Sequence, residues 1–110
     1  MDDSMISTIG VIGAGTMGRQ IAMLAAISGF RTHCLDINPG QVEEARSFTL
    51  NYLQGRVDKG RLTDEQARKA GSSIYFSTDL TEPLKEVDFV IEAAVEKLEV
   101  KRELFSQLDR

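Results

Sequence analysis

Cysteine and histidine each occur once in this chain, as Cys34 and His33, and that scarcity removes several kinds of chemistry. A single cysteine cannot close an internal disulfide, and no group of histidines and cysteines has metal-ligand spacing. One histidine is too little from which to assemble a Ser/His/Asp set. The two residues are neighbours in an apolar run that reads as a strand, so their side chains point to opposite faces. Cys34 then reads as a small buried hydrophobe and His33 as a structural histidine. No catalytic residue and no metal ligand is expected in the chain.

Long apolar runs are missing too: no stretch approaches the length that spans a bilayer. An excess of positive charge is also absent. Thirteen Lys and Arg stand against seventeen Asp and Glu, a net charge of −4, which leaves no footprint for nucleic acid or an anionic membrane. The start, Met1-Asp2-Asp3-Ser4-Met5, is acidic and short, unlike a secretory signal or an Arg-rich transit peptide, so the expected location is cytoplasmic. No internal repeat, linker or low-complexity segment divides the 110 residues, which are enough for one domain with its own core.

What is present concentrates between Ser7 and Ala22. An apolar run, about Thr8 to Ile12, leads into Gly13-Ala14-Gly15-Thr16-Met17-Gly18 and passes at once into an alanine-rich helical pattern. Gly13 allows a tight turn out of the strand, Gly15 lets a pyrophosphate approach the backbone, and Gly18 lets the helix pack closely. The unpaired N–H groups of the first helical turn then face the diphosphate, aided by the positive end of the helix dipole. A second apolar run, Arg31 to Leu35, ends in Asp36, about 20 residues beyond the loop, where a carboxylate accepts ribose hydroxyls. Strand, loop, helix and acid together predict dinucleotide binding. Asp36 repels a 2′-phosphate, and Ile37, Asn38 and Pro39 offer no arginine to receive one, so NAD is preferred over NADP.

The helix after Gly18 is apolar almost all round, ends at Ser28-Gly29-Phe30, and should leave Arg19 and Gln20 facing solvent. Asn38-Pro39-Gly40 opens a long helical pattern with Val42, Ala45, Phe48, Tyr52 and Leu53 on one stripe. The segment from Gly55 to Arg61, with its small basic cluster, is expected to break it. Thr63-Asp64-Glu65-Gln66 is a capping box for a short helix that Gly71 should stop. Strands are expected at Ser73–Ser77 and Val87–Glu92, with one capped turn at Thr81–Lys85 between them. A last helix starts from Lys97, with Leu98, Lys101, Leu104, Phe105 and Leu108 on one stripe. The order β-α-β-α-α-β-turn-β-α is that of an α/β, Rossmann-like doubly wound parallel sheet. Right-handed crossovers place its strands in the order 3-2-1-4, with a helical pair inserted between strands 2 and 3.

These residues resemble a known family. The loop Gly13–Gly18, the pair Asp36 and Asn38, the elbow Lys59-Gly60-Arg61-Leu62-Thr63 and the run Ile91 to Lys101 are similar to L-3-hydroxyacyl-CoA dehydrogenases. Members acting on 3-hydroxybutyryl-CoA fit best, and the resemblance covers almost the whole chain after Ile6. It implies an oxidoreductase of fatty acid metabolism with NAD, not FAD, as cofactor. It further implies that Gly13, Ala14, Gly15, Thr16, Met17, Gly18 and Asp36 hold the adenosine diphosphate portion. Glu96 and Lys101 match positions near the nicotinamide ribose, and Lys59 matches a place where a CoA phosphate could be met. The family's reaction uses a histidine, a glutamate that orients it, and a serine and asparagine that hold substrate. By resemblance all four lie beyond Arg110, as do the acyl pocket and the dimer contact of a homodimeric parent. Residues 1–110 are therefore expected to be an NAD-binding domain, inactive alone and able to self-associate through an exposed sheet edge. Dehydrogenases of L-gulonate or carnitine carry a similar first domain, and a non-catalytic NAD-sensing module is a further alternative.

Overall fold

The computed structural model describes residues 7–93. Four strands, β1 (Thr8–Ile12), β2 (Arg31–Leu35), β3 (Ile74–Ser77) and β4 (Phe89–Glu92), form a sheet in the order β3-β2-β1-β4. Every pairing is parallel. Helices α1 (Thr16–Ile27), α2 (Pro39–Asp58) and α3 (Asp64–Ser73) and a 3-10 turn at Pro83–Glu86 connect them. The chain steps from β1 to β2 to β3 in one direction and then returns to the far side of β1. The reversal lies between β1 and β4, and an open parallel sheet binds its ligands beyond the carboxyl ends of its strands at such a point. The α/β Rossmann-like sheet and its strand order are those the sequence predicts.

Side chains alternate along each strand, and the pairing registers sort them onto two faces. Ile9, Val11, Cys34 and Ile74 pack with Ala14, Ala22, Ala26 and Ala45 in one buried cluster. Small residues on α1 let it lie close to the strands. α1 is less apolar in effect than its composition suggests: Leu24 and Met17 are more than half exposed, so this helix has an outer side. On the other face Gly10 leaves room for the 3-10 turn. A Cβ there would come within 2.9 Å of Leu84 Cδ2 and 3.2 Å of Val87 Cγ1.

Helix ends follow local chemistry. The Asn38 side chain accepts from the Gly40 and Gln41 N–H groups and Pro39 opens α2, so chain direction is fixed directly after Asp36. The capping box is formed in full: Gln66 N–H donates to Thr63 Oγ1 at 3.0 Å, and Thr63 N–H donates to Gln66 Oε1 at 2.9 Å. Two expected breaks move. α2 continues through Gly55 to Asp58, and its turn comes at Gly60, whose φ of +70° suits glycine. α3 continues through Gly71 to Ser73, which shortens β3 to Ile74–Ser77. β4 likewise begins at Phe89, because Val87 follows the 3-10 turn and the Asp88 carboxylate binds the Ser7 and Thr8 N–H groups. The turn expected at Thr81–Lys85 is the 3-10 turn, with Asp79 accepting from Thr81 and Glu82. The helix expected from Lys97 lies outside the described residues.

Candidate functional site

The site is built where β1 hands over to α1. Gly13 takes a φ of +109°, which L side chains avoid, and its N–H donates to Leu35 O. The chain therefore turns at the tip of β1 while still tied to the tip of β2. Ala14 is wholly buried beneath the turn. Gly15 is the N-cap of α1, in extended backbone, and as a glycine brings no side chain of its own to cap the helix. No acidic residue lies in the first turn itself. Gly18 is required by close packing: a Cβ would lie 1.7 Å from Gly13 O. Ala93, just past β4, closes the same corner, its Cβ 3.5 Å from that position and its N–H donating to Ile12 O.

Asp36 joins the loop from the side. Its Oδ2 accepts from Ala14 N–H at 2.9 Å, and its Oδ1 accepts from Asn38 N–H at 2.9 Å. Each carboxylate oxygen keeps further acceptor capacity. The acid expected to meet ribose hydroxyls thus also fixes one peptide of the glycine loop. The residues present fit an adenine dinucleotide: a helix start with a glycine N-cap suits a diphosphate, and a carboxylate lies beside it for a sugar diol.

Arg19 departs from the expectation that it faces solvent. Its side chain is only 15% exposed and lies behind the loop. Nε donates to Ala14 O and Gly15 O, both at 3.1 Å, and one terminal nitrogen reaches Gln41 Oε1 at 2.9 Å and Glu44 Oε2 at 3.3 Å. No sequence signal announced this, because two of the acceptors are backbone carbonyls and the others sit 22 and 25 positions away.

The remaining predicted residues divide cleanly. Gly13, Ala14, Gly15, Thr16, Met17, Gly18 and Asp36 gather at the carboxyl ends of β1 and β2. Lys59 caps the opposite end of α2, about 30 Å along that helix from Asn38, and is exposed. It does not join the loop. Glu96 and Lys101 lie outside the described residues. Cys34 is buried, and burial first and the Asp36 carboxylate second push its thiol up to about 12. His33 is buried on the other face of β2. Its ring stacks on Tyr75 at 5.3 Å, and Nε2 stands 3.8 Å from the Glu86 carboxylate without a hydrogen bond. Both side chains are packed within the sheet. No group of metal-ligating side chains occurs among the described residues, and no helix among them is long and apolar enough to cross a membrane.

Comparison with known proteins agrees with this geometry. Residues 8–110 match the family described as 3-hydroxyacyl-CoA dehydrogenase, NAD binding domain. A 3-hydroxybutyryl-CoA dehydrogenase of Bradyrhizobium diazoefficiens is 39% identical over 105 residues, 96% of this chain and 36% of the relative. A 3-hydroxyadipyl-CoA dehydrogenase of Escherichia coli is 40% identical over 103 residues, 94% of this chain and 22% of the relative. The crystal structure of (S)-3-hydroxybutyryl-CoA dehydrogenase from Ralstonia eutropha superposes with a TM-score of 0.79 at 32% identity, covering 96% of this chain and 37% of that one. The chain thus spans about a third of the first relative and about a fifth of the second. On the glycine turn, the acid at the tip of β2 and a match over nearly its whole length, the chain belongs to the NAD-binding domains of the 3-hydroxyacyl-CoA dehydrogenase family.

Proposed function

We propose that this chain is the NAD-binding part of an enzyme that moves hydride between the 3-hydroxyl of an L-3-hydroxyacyl-CoA and NAD. The observation that carries the reading is the joining of Asp36 to the glycine turn through Ala14 N–H, at the mouth of a helix whose N-cap is a glycine. The Gly13–Gly18 segment holds the diphosphate through backbone N–H groups. Asp36 accepts from the adenosine ribose and disfavours a 2′-phosphate by charge and by the lack of a donor. NAD, when bound, supplies the hydride acceptor. Glu96 and Lys101, by their match to family positions near the nicotinamide ribose, are the candidates for that part of the cofactor, and Lys59 is a candidate for a CoA phosphate. 3-Hydroxybutyryl-CoA is the proposed substrate. Relatives named for the hydroxybutyryl and the hydroxyadipyl thioesters are about equally similar, so acyl length is not decided in these residues.

In this reading residues 1–110 form one domain, while the acid–base histidine, the acyl pocket and the homodimer contact belong to a partner domain. Inactivity of the 110 residues alone follows from His33, the single histidine, which is held in the sheet against Tyr75. The same reading has a cytoplasmic enzyme, and self-association of the separate chain through β4, which among the described residues pairs only with β1 and bears exposed Phe89 and Val90.

Calorimetric titration of the chain with NAD and NADP tests the proposal. NAD should bind, and NADP should bind at least about tenfold more weakly, the size expected when an unpaired charge meets a carboxylate. Asp36→Ala should weaken NAD and narrow that gap. NADP binding as well as NAD would contradict the reading. So would NADH formation from 3-hydroxybutyryl-CoA by the chain alone, as regards its inactivity.

A further inference from the structure

We infer that Arg19 is a positioning residue that aims the N–H groups of the glycine loop at the diphosphate; this rests on the cofactor reading above. A trans peptide carries its C=O and N–H on opposite sides of one rigid plane. No peptide in the described chain is cis. Arg19 Nε binds Ala14 O and so fixes the Ala14–Gly15 plane, and it adds to the hold on Gly15–Thr16, whose Gly15 O also accepts from the Arg19 backbone N–H at 2.9 Å. The N–H groups of Gly15 and Thr16 are thereby turned away from the guanidinium, to the side where helix α1 opens. The preceding plane, Gly13–Ala14, is fixed by Asp36 through Ala14 N–H. Two consecutive peptides, in a segment where glycine would otherwise leave φ and ψ free, are held by two side chains of opposite charge, and the third by Arg19 together with the first backbone hydrogen bond of α1.

The anchor itself is anchored. Gln41 and Glu44, on the first two turns of α2, hold the far end of the guanidinium. Arg19 therefore ties the loop to the helix that Asn38 starts directly after Asp36. The Glu44 carboxylate is 68% exposed, so it neutralises the partly buried arginine only in part and leaves positive charge behind the loop. Lysine cannot replace this arrangement: its single ammonium cannot present a planar fork to two carbonyls and a side-chain amide at once.

The test compares unsubstituted chain, Arg19→Met and Arg19→Lys by calorimetric titration with NAD and with adenosine, which has the ribose but no phosphate. A positioning role predicts that Arg19→Met weakens NAD by about tenfold or more, the worth of charge-assisted hydrogen bonds, while adenosine changes less than about twofold. Arg19→Lys should recover little of the loss. In ¹⁵N spectra without ligand, the Gly15 and Thr16 signals of Arg19→Met should broaden or shift while those of β3 stay in place. Unchanged NAD affinity in Arg19→Met overturns the inference. Equal losses for NAD and adenosine also overturn it, since general damage then explains both. Full recovery by Arg19→Lys shows that charge alone is at work and overturns it as well. Failure of the unsubstituted chain to bind NAD overturns the functional reading beneath it and is distinguishable from all three.

Discussion

At the residue scale, the site was legible where a position has a single physical reason to be what it is. Gly13 needs its positive φ, Gly18 needs its missing Cβ, and Asp36 is an acceptor at a strand tip, where it takes the Ala14 N–H. Those three could be placed from spacing alone. Arg19 could not, because its reason is three-dimensional: two carbonyls of a turn and two side chains of another helix. Cys34 was legible as a hydrophobe, and its environment adds a consequence for pH. Burial chiefly, then Asp36, raise the thiol from 9.0 to about 12, with Arg19 pulling weakly the other way. A raised thiol is favoured in its neutral form by the fold. Its contribution is therefore complete below pH of about 9 and is lost as pH climbs through about 12. At pH 8 a thiol-specific disulfide reagent should leave the native chain unlabelled and react fully once denaturant is added. Rapid stoichiometric labelling of the native chain would mean that Cys34 is not enclosed as described.

At the scale of elements, types and order were readable because periodicity and caps agree. The capping box at Thr63 and Gln66, the Asn38 cap and the apolar run of β1 each fix one element without help from the rest. Boundaries at glycine were less readable. Glycine permits a left-handed turn but does not compel one, and the tertiary contacts of α2 with α3 carry both helices past Gly55 and Gly71. Among the described residues only Gly13, Gly29 and Gly60 have positive φ. Thr49 was also missed on the inner stripe of α2; it is buried, with its hydroxyl donating to Ala45 O at 2.8 Å, a local bond that a polar residue makes inside a helix. Gly71 gives a direct check. A Cβ there would meet only Leu53 Cδ1 at 3.8 Å, an ordinary contact. Gly71→Ala should therefore raise the unfolding free energy by about 0.5–1 kcal/mol in a denaturant titration. Gly60→Ala, at φ +70°, should lower it. A loss of stability in Gly71→Ala would place the end of α3 at Gly71 after all.

For the whole molecule, one arrangement explains the rest. Parallel pairing brings the ends of β1, β2 and β4 to one rim, and the reversal of direction at β1 opens a crevice there. The glycine turn and Asp36 lie on that rim, whereas His33 is buried in the sheet and Lys59 is at the far end of α2. The rim is thus where the described residues are arranged to hold a nucleotide. The sequence showed this through its motif spacing. What spacing could not show is that the acid and the loop are already bonded to each other, by Ala14 N–H to Asp36 Oδ2 at 2.9 Å. The most direct measurement is an amide ¹⁵N titration of the chain with NAD. The account predicts that the signals of Gly13 to Gly18 and Asp36 to Asn38 move first and together, with those around Lys59 and Gly71 unmoved. Saturable binding that leaves the glycine turn and Asp36 unchanged, or no binding at millimolar NAD, would contradict it.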